Sequence, residues 1–418
     1  MAEAYIIDTV RTPRSIGKMG KGALSTMHPE HLSATVLAAI KDRNDLNTAE
    51  VDDVIWGVSA AMGLQAGDIG RNAALDAGYD VKAGGVTLNR FCGSSITATN
   101  FGAGMIMAGM HDLVISGGMD MMSYANFYGM KMREAGLGGS GGMGTGNPRL
   151  QAKHPQSNQG VCADAIAAME GITRADLEAL GVESQRRADI AIKEGRFARS
   201  TIVVKDDDGN VILDHEEYPR PETTAEGLAQ LKPAFEMFLD MPSQPEGKTY
   251  RQLINQVYPD VDIKPIHHVG ISSGVVDGAA AVLMASKEYA EAHGLKPRAR
   301  IVAMTEIGDC PTLMLNAPGP AARKVLAKAG LTTDDIDVWE INEAFAVVVE
   351  KFIRDLGLDR AKVNPNGGSI ALGHPIAGTG AILIGTALDE LERTGGRYGL
   401  ITMCAAGGMA PAIIIERI

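Results

Sequence analysis

Short apolar runs alternate with longer, helix-like stretches at both ends of the chain. The runs that predict strands lie at residues 5–8, 51–55, 112–119, 300–303, 335–338 and 399–404. Runs of this length between helical stretches are typical of sheets that helices cover on both faces. The pattern therefore predicts an α/β fold built on parallel sheets.

The two ends of the chain repeat each other in this pattern. The first three strands correspond in order to the last three, and the small-residue helix start at 92–96 corresponds to the one at 367–370. This duplication predicts two parallel-sheet α/β halves packed together. Ligands bind at the carboxyl ends of strands in open parallel sheets, so we expect a site where the halves face each other.

Residues from about 122 to 250 follow a different pattern. Residues 136–146 are rich in glycine and predict a flexible loop, and a phosphate-binding loop is disfavoured because the Gly-Lys-Ser/Thr ending is missing. Thr173 and Asp176 have the spacing of a capping box. They predict a helix through Arg186, followed by a helical stretch to Glu194.

Length and charge limit the possible classes. With 418 residues the chain exceeds the ~250–300 residues that one core supports, so two or three subdomains are expected. Lys and Arg number 39 against 51 Asp and Glu, and no basic stretch indicates nucleic-acid binding. An acidic balance still allows an anionic ligand, since such a ligand needs only a local basic patch.

The cytoplasm is the expected compartment. The N-terminus runs into the first predicted strand without the regions of a secretory signal, no apolar stretch is long enough for a bilayer, and residues 413–418 form no targeting signal. Four scattered cysteines are too few for a disulfide framework, and active thiols require a reducing compartment.

Cys92 is the most informative single residue. It follows a predicted strand and precedes the small residues 93–98, which open a helix. A helix N-terminus offers unpaired N–H groups and a partial positive charge, both of which favour a thiolate. The placement predicts a nucleophile. A buried structural cysteine is the alternative, and it would be favoured if Cys92 stood alone.

Three further segments accompany Cys92. They are Asn342 in 340–346 (EINEAFA), His374 in 366–375 (NGGSIALGHP) and Cys404 in 402–408 (TMCAAGG). With residues 6–13 (IIDTVRTP) and 273–281 (SGVVDGAAA), they resemble the signatures of the thiolase family, CoA-dependent acyltransferases that make or cleave 3-ketoacyl-CoA. The resemblance covers essentially the whole chain, and its motifs occur in family order.

The resemblance implies a role for each of these residues. Cys92 is the nucleophile that carries the acyl group, His374 the base that generates its thiolate, and Cys404 the acid/base at the α-carbon. His374 and a water held by Asn342 would stabilise an enolate-like oxygen, and the N–H groups of Cys92 and Ala406 would form a second oxyanion hole. No cofactor is expected beyond CoA as a substrate.

The resemblance also implies a domain organisation and CoA contacts. Residues 1–121 and 251–288 would form the N-terminal half, 122–250 a loop domain over the active site, and 289–418 the C-terminal half. Arg220, Ser273, Ala344 and Phe345 are the expected CoA contacts, with a guanidinium suited to the nucleotide end. A solvated surface role for Arg220 is the alternative. The expected partners are acyl-CoA and CoA, without nucleic acid or membrane, in a homodimer or homotetramer.

Several departures from the family pattern surround the acyl and pantetheine channel. Residues 159–164 read QGVCAD where thiolases commonly have Met-Gly-x-Thr-Ala-Glu, and 268–271 read HVGI in place of Thr-Ala-Gly-Asn. An apparent insertion spans 238–265, and Ala405–Ala406 replace positions that often include a glycine. A positive φ at Ala406 would conflict with its proposed N–H donor role. A substrate other than acetoacetyl-CoA is therefore open.

Other residue groups have competing interpretations. The methionines at 119, 121, 122, 130, 132 and 143 could line an acyl pocket or simply pack in the core or at an interface. A zinc site at Cys92, His374 and Cys404 is disfavoured because no metal-ligand spacing supports it. His28, His31, His267 and His268 are interpreted as structural or surface residues.

Three functional hypotheses remain. A catalytic thiolase is favoured. A condensing enzyme of the ketoacyl-synthase type would use histidines in place of Cys404, and a noncatalytic acyl-CoA- or lipid-binding relative would not need all four polar residues.

Overall fold

A computed structural model describes residues 3–136, 147–243 and 247–418. Apart from Gly136, the glycine-rich stretch predicted to be a flexible loop lies outside these residues, as does Met143. The strands are β1 (Ala4–Arg11), β2 (Ser15–Ile16), β3 (Asp53–Gly57), β4 (Val86–Leu88), β5 (Leu113–Met121), β6 (Val204–Lys205), β7 (Val211–Leu213), β8 (Val276–Ser286), β9 (Ala299–Gly308), β10 (Val338–Ile341), β11 (Tyr398–Thr402) and β12 (Met409–Arg417). The helices are α1 (Pro29–Arg43), α2 (Ile69–Asp76), α3 (Ser94–Met107), α4 (Met122–Glu134), α5 (Pro148–Lys153), α6 (Gln159–Glu170), α7 (Arg174–Lys193), α8 (Ala225–Ala229), α9 (Glu236–Leu239), α10 (Tyr250–Asn255), α11 (Lys287–Ala292), α12 (Pro318–Ala329), α13 (Ala346–Leu356), α14 (Ser369–Leu372) and α15 (Thr379–Thr394).

The strands form one large mixed sheet. Its order is β10-β11-β12-β9-β1-β8-β5-β3-β4, with β2 beside β8. The pairs β3–β4, β3–β5 and β10–β11 are parallel, whereas the pairs made by β1, β8, β9 and β12 are antiparallel. The predicted α/β fold is confirmed, and parallel pairing is restricted to these three outer pairs.

The predicted duplication appears in the strand order. One half runs β4-β3-β5-β8-β1, and the other runs from a bridge at Val363 through β10-β11-β12 to β9. Two aspartates mark equivalent positions: Asp52 Oδ2 accepts from the N–H groups of Asp112 and Leu113, as Asp337 Oδ2 does from Arg397 and Tyr398. The halves therefore repeat down to individual hydrogen bonds.

Two helices of small residues lie between the halves. A Cβ atom at Gly380 in α15 would lie 2.7 Å from the backbone nitrogen of Ile96 in α3, so only glycine allows this approach. Ser95 Oγ accepts from the N–H of Ala381 at 2.9 Å. The helix that packs on α3 thus begins at Thr379, beyond the start at 367–370 that the sequence repeat indicates, where only the short α14 forms.

The segment between the halves, residues 122–250, contains the helices from α4 to α9, the start of α10 and the short strand pair β6–β7. Thr173 and Asp176 make both hydrogen bonds of the capping box, and α7 continues without a break to Lys193. Glu216 ties this segment to the end of β1, because its carboxylate pairs with Arg11 at 2.6 Å and Arg14 at 2.9 Å. This buried ion pair gives the opening Arg-Thr-Pro motif a structural role. The proposed domain boundaries stay a prediction.

Candidate active site

The four predicted catalytic residues lie in turns: Cys92 just before α3, His374 between α14 and α15, Asn342 after β10 and Cys404 after β11. Their side chains are almost inaccessible to water: Cys92 is 7% exposed, His374 3%, Cys404 1% and Asn342 0%. The enclosure means that the three titratable side chains, those of Cys92, His374 and Cys404, exchange protons in a low-dielectric environment.

A strained turn presents Cys92. Phe91 has a φ of 49°, in the left-handed region that bulky residues rarely adopt. Two side chains hold the turn: Asn89 Oδ1 accepts from the N–H of Phe91 at 2.8 Å, and Ser94 Oγ accepts from that of Arg90 at 2.9 Å. The turn therefore directs Cys92 by backbone geometry at the start of α3.

Burial changes the protonation state expected for Cys92. Desolvation raises the pKa of its thiol, and the nearby Cys404 and Asp120 raise that pKa further. Burial therefore opposes the thiolate that the helix N-terminus favours, so formation of the thiolate needs a base.

Neighbouring side chains contact both ring nitrogens of His374 and orient the ring. Nδ1 lies 2.6 Å from Thr379 Oγ1, and Nε2 lies 3.4 Å from Asn342 Nδ2. Ser369 Oγ donates to Asn342 Oδ1 at 2.6 Å, which turns the amide Nδ2 towards His374. Burial lowers the pKa of His374 to about 3, so the imidazole is neutral near pH 7. This network favours a proton on Nδ1 and a free pair on Nε2.

Asn342 and Cys404 follow two adjacent parallel strands. Ile341 is paired with Thr402 at the ends of β10 and β11, and the N–H of Asn342 donates to Thr402 O at 3.2 Å. Burial raises the pKa of the Cys404 thiol to about 12. The turns of the two cysteines touch, since a Cβ atom at Gly93 would lie 3.4 Å from the Cβ of Ala405.

In the turn after Cys404, the positive φ values fall on the glycines that follow Ala406. Gly407 and Gly408 have φ values of 81° and 78°, and neither Ala405 nor Ala406 has a positive φ. Within residues 3–136, 147–243 and 247–418, the N–H groups of Cys92 and Ala406 donate to no other residue. Two unpaired N–H groups in touching turns are suited to an oxyanion.

Two neighbouring clefts lie beside the expected CoA contacts. The inner cleft, of about 860 Å³, is lined by Ser272, Ser273 and Val275 among others, and the outer cleft, of about 480 Å³, is lined by Arg220. Tyr218 and Val269 line both, so the two clefts adjoin each other.

The structure brings three of the four expected CoA contacts together. The N–H of Ser273 donates to Ala344 O at 3.0 Å, and the neighbouring Ser272 is bridged to Phe345. Arg220 lies apart in the outer cleft, with its guanidinium 5.8 Å from the centre of the Tyr218 ring. This separation is what an elongated ligand would need.

Two buried carboxylates that the motifs do not single out hold the turns in place. Asp120 accepts from the N–H of Ala377 at 2.8 Å, and burial raises its pKa to about 6. Glu343 accepts from Ser184 Oγ at 2.7 Å and from the N–H of Ile370 at 3.1 Å. The sequence signal for Glu343 is its place beside Asn342 in the 340–346 motif. The signal for Asp120 is only its place between Met119 and Met121.

The histidines at 267 and 268 are buried structural residues rather than surface residues. His267 Nδ1 lies 2.7 Å from Asp164 Oδ1, and His268 Nε2 lies 3.1 Å from Glu178 Oε1. Both rings are fully buried. Two departures from the family pattern, at 159–164 and around 268, therefore lie against each other through Asp164 and His267.

Some of the methionines pack in the core, and at least one lines a cleft. Met119 and Met121 are buried in the core of the N-terminal half, whereas Met130 is exposed and lines the inner cleft. Among the residues that the structure describes, no group of three or more His, Cys, Asp or Glu side chains could hold a metal ion. Nor does the described part of the chain have a helix long and apolar enough to cross a membrane.

Comparisons with known proteins agree on one family. The family model described as the thiolase N-terminal domain matches residues 4–238, and that of the thiolase C-terminal domain matches residues 295–417. A steroid 3-ketoacyl-CoA thiolase of Mycobacterium tuberculosis is 41% identical over 100% of this chain and 95% of its own length. A beta-ketoadipyl-CoA thiolase of Acinetobacter baylyi is 40% identical over 100% of both chains, and a 3-oxoadipyl-CoA/3-oxo-5,6-dehydrosuberyl-CoA thiolase of Escherichia coli is 39% identical over 100% of both.

Proposed function

The chain belongs to the thiolase family and is an acyl-CoA C-acyltransferase, and from this premise we propose how its own residues divide the reaction. The enzyme cleaves 3-ketoacyl-CoA with CoA and also runs the reverse condensation, through an acyl group on Cys92. The touching turns of Cys92 and Cys404, with their unpaired N–H groups, carry this proposal.

In the acyl-transfer step, Cys92 gives its proton to Nε2 of His374 and its sulfur attacks a carbonyl carbon. When an acyl-CoA is the donor, the bond to the CoA sulfur breaks and the leaving CoA thiolate takes the proton from His374; when a 3-ketoacyl-CoA is the donor, the bond between the 3-keto carbon and the α-carbon breaks. The neutral imidazole, with Thr379 at Nδ1, supports this direction of transfer. The transfer creates a thiolate and an imidazolium together, and their mutual attraction offsets part of the desolvation that opposes each alone. The N–H groups of Cys92 and Ala406 donate to the tetrahedral oxyanion.

In the carbon–carbon step, Cys404 moves the proton at the α-carbon of the acyl thioester. In cleavage, the carbanion leaving the 3-keto carbon takes a proton from the Cys404 thiol, and in condensation the Cys404 thiolate removes that proton again. His374 and a water held by Asn342 stabilise the enolate oxygen, as the 3.4 Å approach of these side chains supports. CoA is the only cofactor-like molecule required.

CoA extends from the catalytic turns to the outer cleft. We assign the pantetheine arm to Ser273, Ala344 and Phe345, and the nucleotide end to Arg220. A guanidinium binds phosphate oxygens through two parallel hydrogen bonds, and the exposure of Arg220 leaves it free to do so.

We also propose a homodimer or homotetramer in the cytoplasm. The sheet ends at β4, whose outer edge is open in the described residues, and Val86, Leu64 and Phe101 are between 42% and 49% exposed. Pairing of two edges would hide these side chains and brace the turn that leads to Cys92. Sedimentation of the purified protein tests the assembly.

The two other hypotheses have less support. A ketoacyl-synthase-type enzyme would have a histidine where Cys404 lies, and a noncatalytic relative would not need the Thr379–His374–Asn342–Ser369 chain.

A thiolysis assay tests the proposed function. In the presence of CoA, the purified protein should cleave 3-ketoacyl-CoA, so that the absorbance of this substrate falls. When CoA is withheld, mass spectrometry should find the acyl group on Cys92. The absence of turnover with short, medium and branched substrates would contradict it.

A further inference from the structure

We propose that Asp120 is a positioning residue for the thiolase reaction: its ionised carboxylate fixes the turn of Cys92 relative to the turn of His374, so that the proton of the thiol can pass to the imidazole. The inference rests on the proposed function, because it concerns the acyl-transfer step. Asp120 lies on β5 and is 0% exposed, and it acts through these two turns rather than on the substrate.

One oxygen of the Asp120 carboxylate holds the turn of His374. Oδ2 accepts from the N–H of Ala377 at 2.8 Å, three residues beyond His374. The turn also lies tightly against β5, since a Cβ atom at Gly118 would lie 2.7 Å from Ala377 O and one at Gly378 would lie 2.9 Å from Gly118 O. Close-packed contacts of this kind transmit a shift of one group to the next, so a displaced Asp120 carboxylate would displace the turn of His374.

Other contacts of Asp120 lead to the turn of Cys92. Ser59 donates its N–H to Oδ1 at 3.2 Å, and Ser59 Oγ donates to Oδ2 at 2.5 Å. Ser59 O accepts from Asn89 Nδ2 at 3.1 Å, and Asn89 Oδ1 accepts from the N–H of Phe91 at 2.8 Å. Phe91 is the strained residue before Cys92, so this path of hydrogen bonds joins the carboxylate to the backbone that directs the nucleophile.

The surroundings of the Asp120 carboxylate are suited to its ionised form. Besides the donors already named, the N–H of Ala60 donates to Oδ1 at 3.2 Å, and Gln65 Nε2 donates to the same oxygen at 3.4 Å. A protonated carboxyl group would present a hydrogen atom to these donors, so at least one of the contacts would be lost. Ionised Asp120 therefore holds both turns, and protonated Asp120 releases part of this hold.

The pKa values of the neighbouring groups separate this effect from the titration of His374. Burial raises the pKa of Asp120 to about 6, although its hydrogen bonds lower it. Burial lowers the pKa of His374 to about 3, so the imidazole stays neutral where Asp120 takes up a proton. Loss of the Asp120 charge would by itself ease thiolate formation, because this charge raises the pKa of the Cys92 thiol. A fall in the acylation rate below pH 6 would therefore come from lost positioning.

Ionisable groups face Asp120 from the elements packed around it. Cys92 faces it from the start of α3, and His374 belongs to the turn that Asp120 binds. On the neighbouring strand β8, burial raises the pKa of Asp277 to about 6 as well. The Asp277 carboxylate, however, accepts from the N–H of Ser123 at 2.8 Å and from Ser123 Oγ at 2.6 Å, at the start of α4. Asp277 thus shares the burial and the raised pKa of Asp120 but not its contacts with the two turns.

The pH dependence of acylation tests this inference. The donor is the acyl-CoA formed from the fastest substrate of the thiolysis panel, and single-turnover intact-mass measurements follow the acyl group on Cys92. In the unaltered enzyme the acylation rate should fall about tenfold per pH unit below pH 6, as Asp120 takes up a proton. Asp120→Asn should acylate ~10–100-fold more slowly at pH 7, because the uncharged amide misplaces the turns, and the fall below pH 6 should disappear. Its affinity for CoA should be unchanged, because Asp120 lines neither cleft.

Two further variants assign the effect to the path through Asp120. Asp277→Asn is the matched control and should keep the fall in acylation rate below pH 6. Asn89→Ala changes an exposed residue rather than a core residue, so it tests the path even if Asp120→Asn does not fold. It removes the contact with Phe91 and should slow acylation by roughly tenfold.

The inference is overturned if Asp120→Asn keeps the fall below pH 6, if Asp277→Asn abolishes it, or if Asn89→Ala acylates at the unaltered rate. An acylation rate that stays constant down to pH 5 in the unaltered enzyme would also overturn it, while the proposed function would stand. If no acyl-Cys92 forms in the unaltered enzyme at any pH, the proposed function itself fails.

Discussion

The two halves share a backbone plan but differ in what they place at equivalent positions. With Asp52 matched to Asp337, the N-terminal half has Gly57 and Met119 where the C-terminal half has Asn342 and Cys404. The N-terminal half contributes the strained turn with Cys92, and the C-terminal half contributes Asn342, His374 and Cys404, to which we assign proton transfer and most of the oxyanion stabilisation. One fold used twice thus separates nucleophile from acid/base, and substitutions in each half should affect different steps.

The largest effect is expected at the nucleophile. Cys92→Ser should lower turnover ~10⁴-fold or more, because a neutral hydroxyl is a far weaker nucleophile than a thiol that can lose its proton. Intact-mass measurement after mixing with substrate should show no acyl group on the variant. Cys310→Ser is the control and should acylate normally, whereas an acyl group found on Cys162 or Cys310 of the unaltered enzyme would reject the assignment.

His374→Ala should impair both half-reactions, by ~10²–10⁴-fold each, because one imidazole activates Cys92 and holds an oxyanion. Single-turnover acylation and subsequent thiolysis measure the two steps separately. The lowered pKa of about 3 implies that His374 stays neutral well below pH 7, so protonation of this imidazole should not reduce acylation between pH 5 and 8. A defect confined to one step would show that His374 has a single role.

Cys404→Ala should distinguish the catalytic contributions of the two halves most clearly. Acyl-Cys92 should still form from an acyl-CoA donor, because that step moves no proton at the α-carbon, whereas condensation and thiolysis of 3-ketoacyl-CoA should fall ~10²–10⁴-fold through loss of the acid/base. Asn342→Ala should slow the same second step by less, through the lost water. A folded Cys404→Ala protein that binds CoA but cannot acylate Cys92 would place Cys404 in nucleophile activation instead.

A smaller effect is expected on the free energy of unfolding, from a substitution at another position where the two halves differ. The C-terminal half has Glu340 where the N-terminal half has Ile55, and within the described residues neither carboxyl oxygen of Glu340 has a hydrogen-bond partner. Burial, then Glu343 and Glu390, raises its pKa well above the usual value.

The native state therefore keeps a proton on Glu340 that the unfolded state releases above its ordinary pKa. The free energy of unfolding should fall as pH rises through this window, by up to about 1.4 kcal/mol per pH unit. Glu340→Gln should flatten this dependence in denaturant titrations at several pH values. Glu350→Gln is the matched control: burial raises the pKa of Glu350, but its pairs with Arg360 and Arg354 outweigh burial and lower it, so this variant should lose stability at neutral pH. Equal pH dependence in the wild type and Glu340→Gln would contradict the assignment.

The sequence predicted the fold class, the duplication and the four residues that the turns bring together. These depend on apolar periodicity and on local motifs, which short stretches of sequence contain. It could not predict that desolvation raises the pKa of Cys92, because burial depends on the packing of both halves. Nor could it predict the contact between Asp164 and His267, or the Arg11–Glu216–Arg14 ion pair, since residues about 100 and 200 positions apart meet only in the folded chain.

The pairing of β1 affects how the chain folds during synthesis. During synthesis β1 leaves the ribosome well before β8 and β9, between which it lies in the sheet: Ala4 pairs with Ser286 and Ile6 with Ala299. Contacts this distant in sequence make folding slow, and an unpaired apolar strand invites aggregation while it waits. We therefore expect truncated chains that end before β9 to expose β1 and to depend on chaperones, although they contain Cys92 and its entire turn.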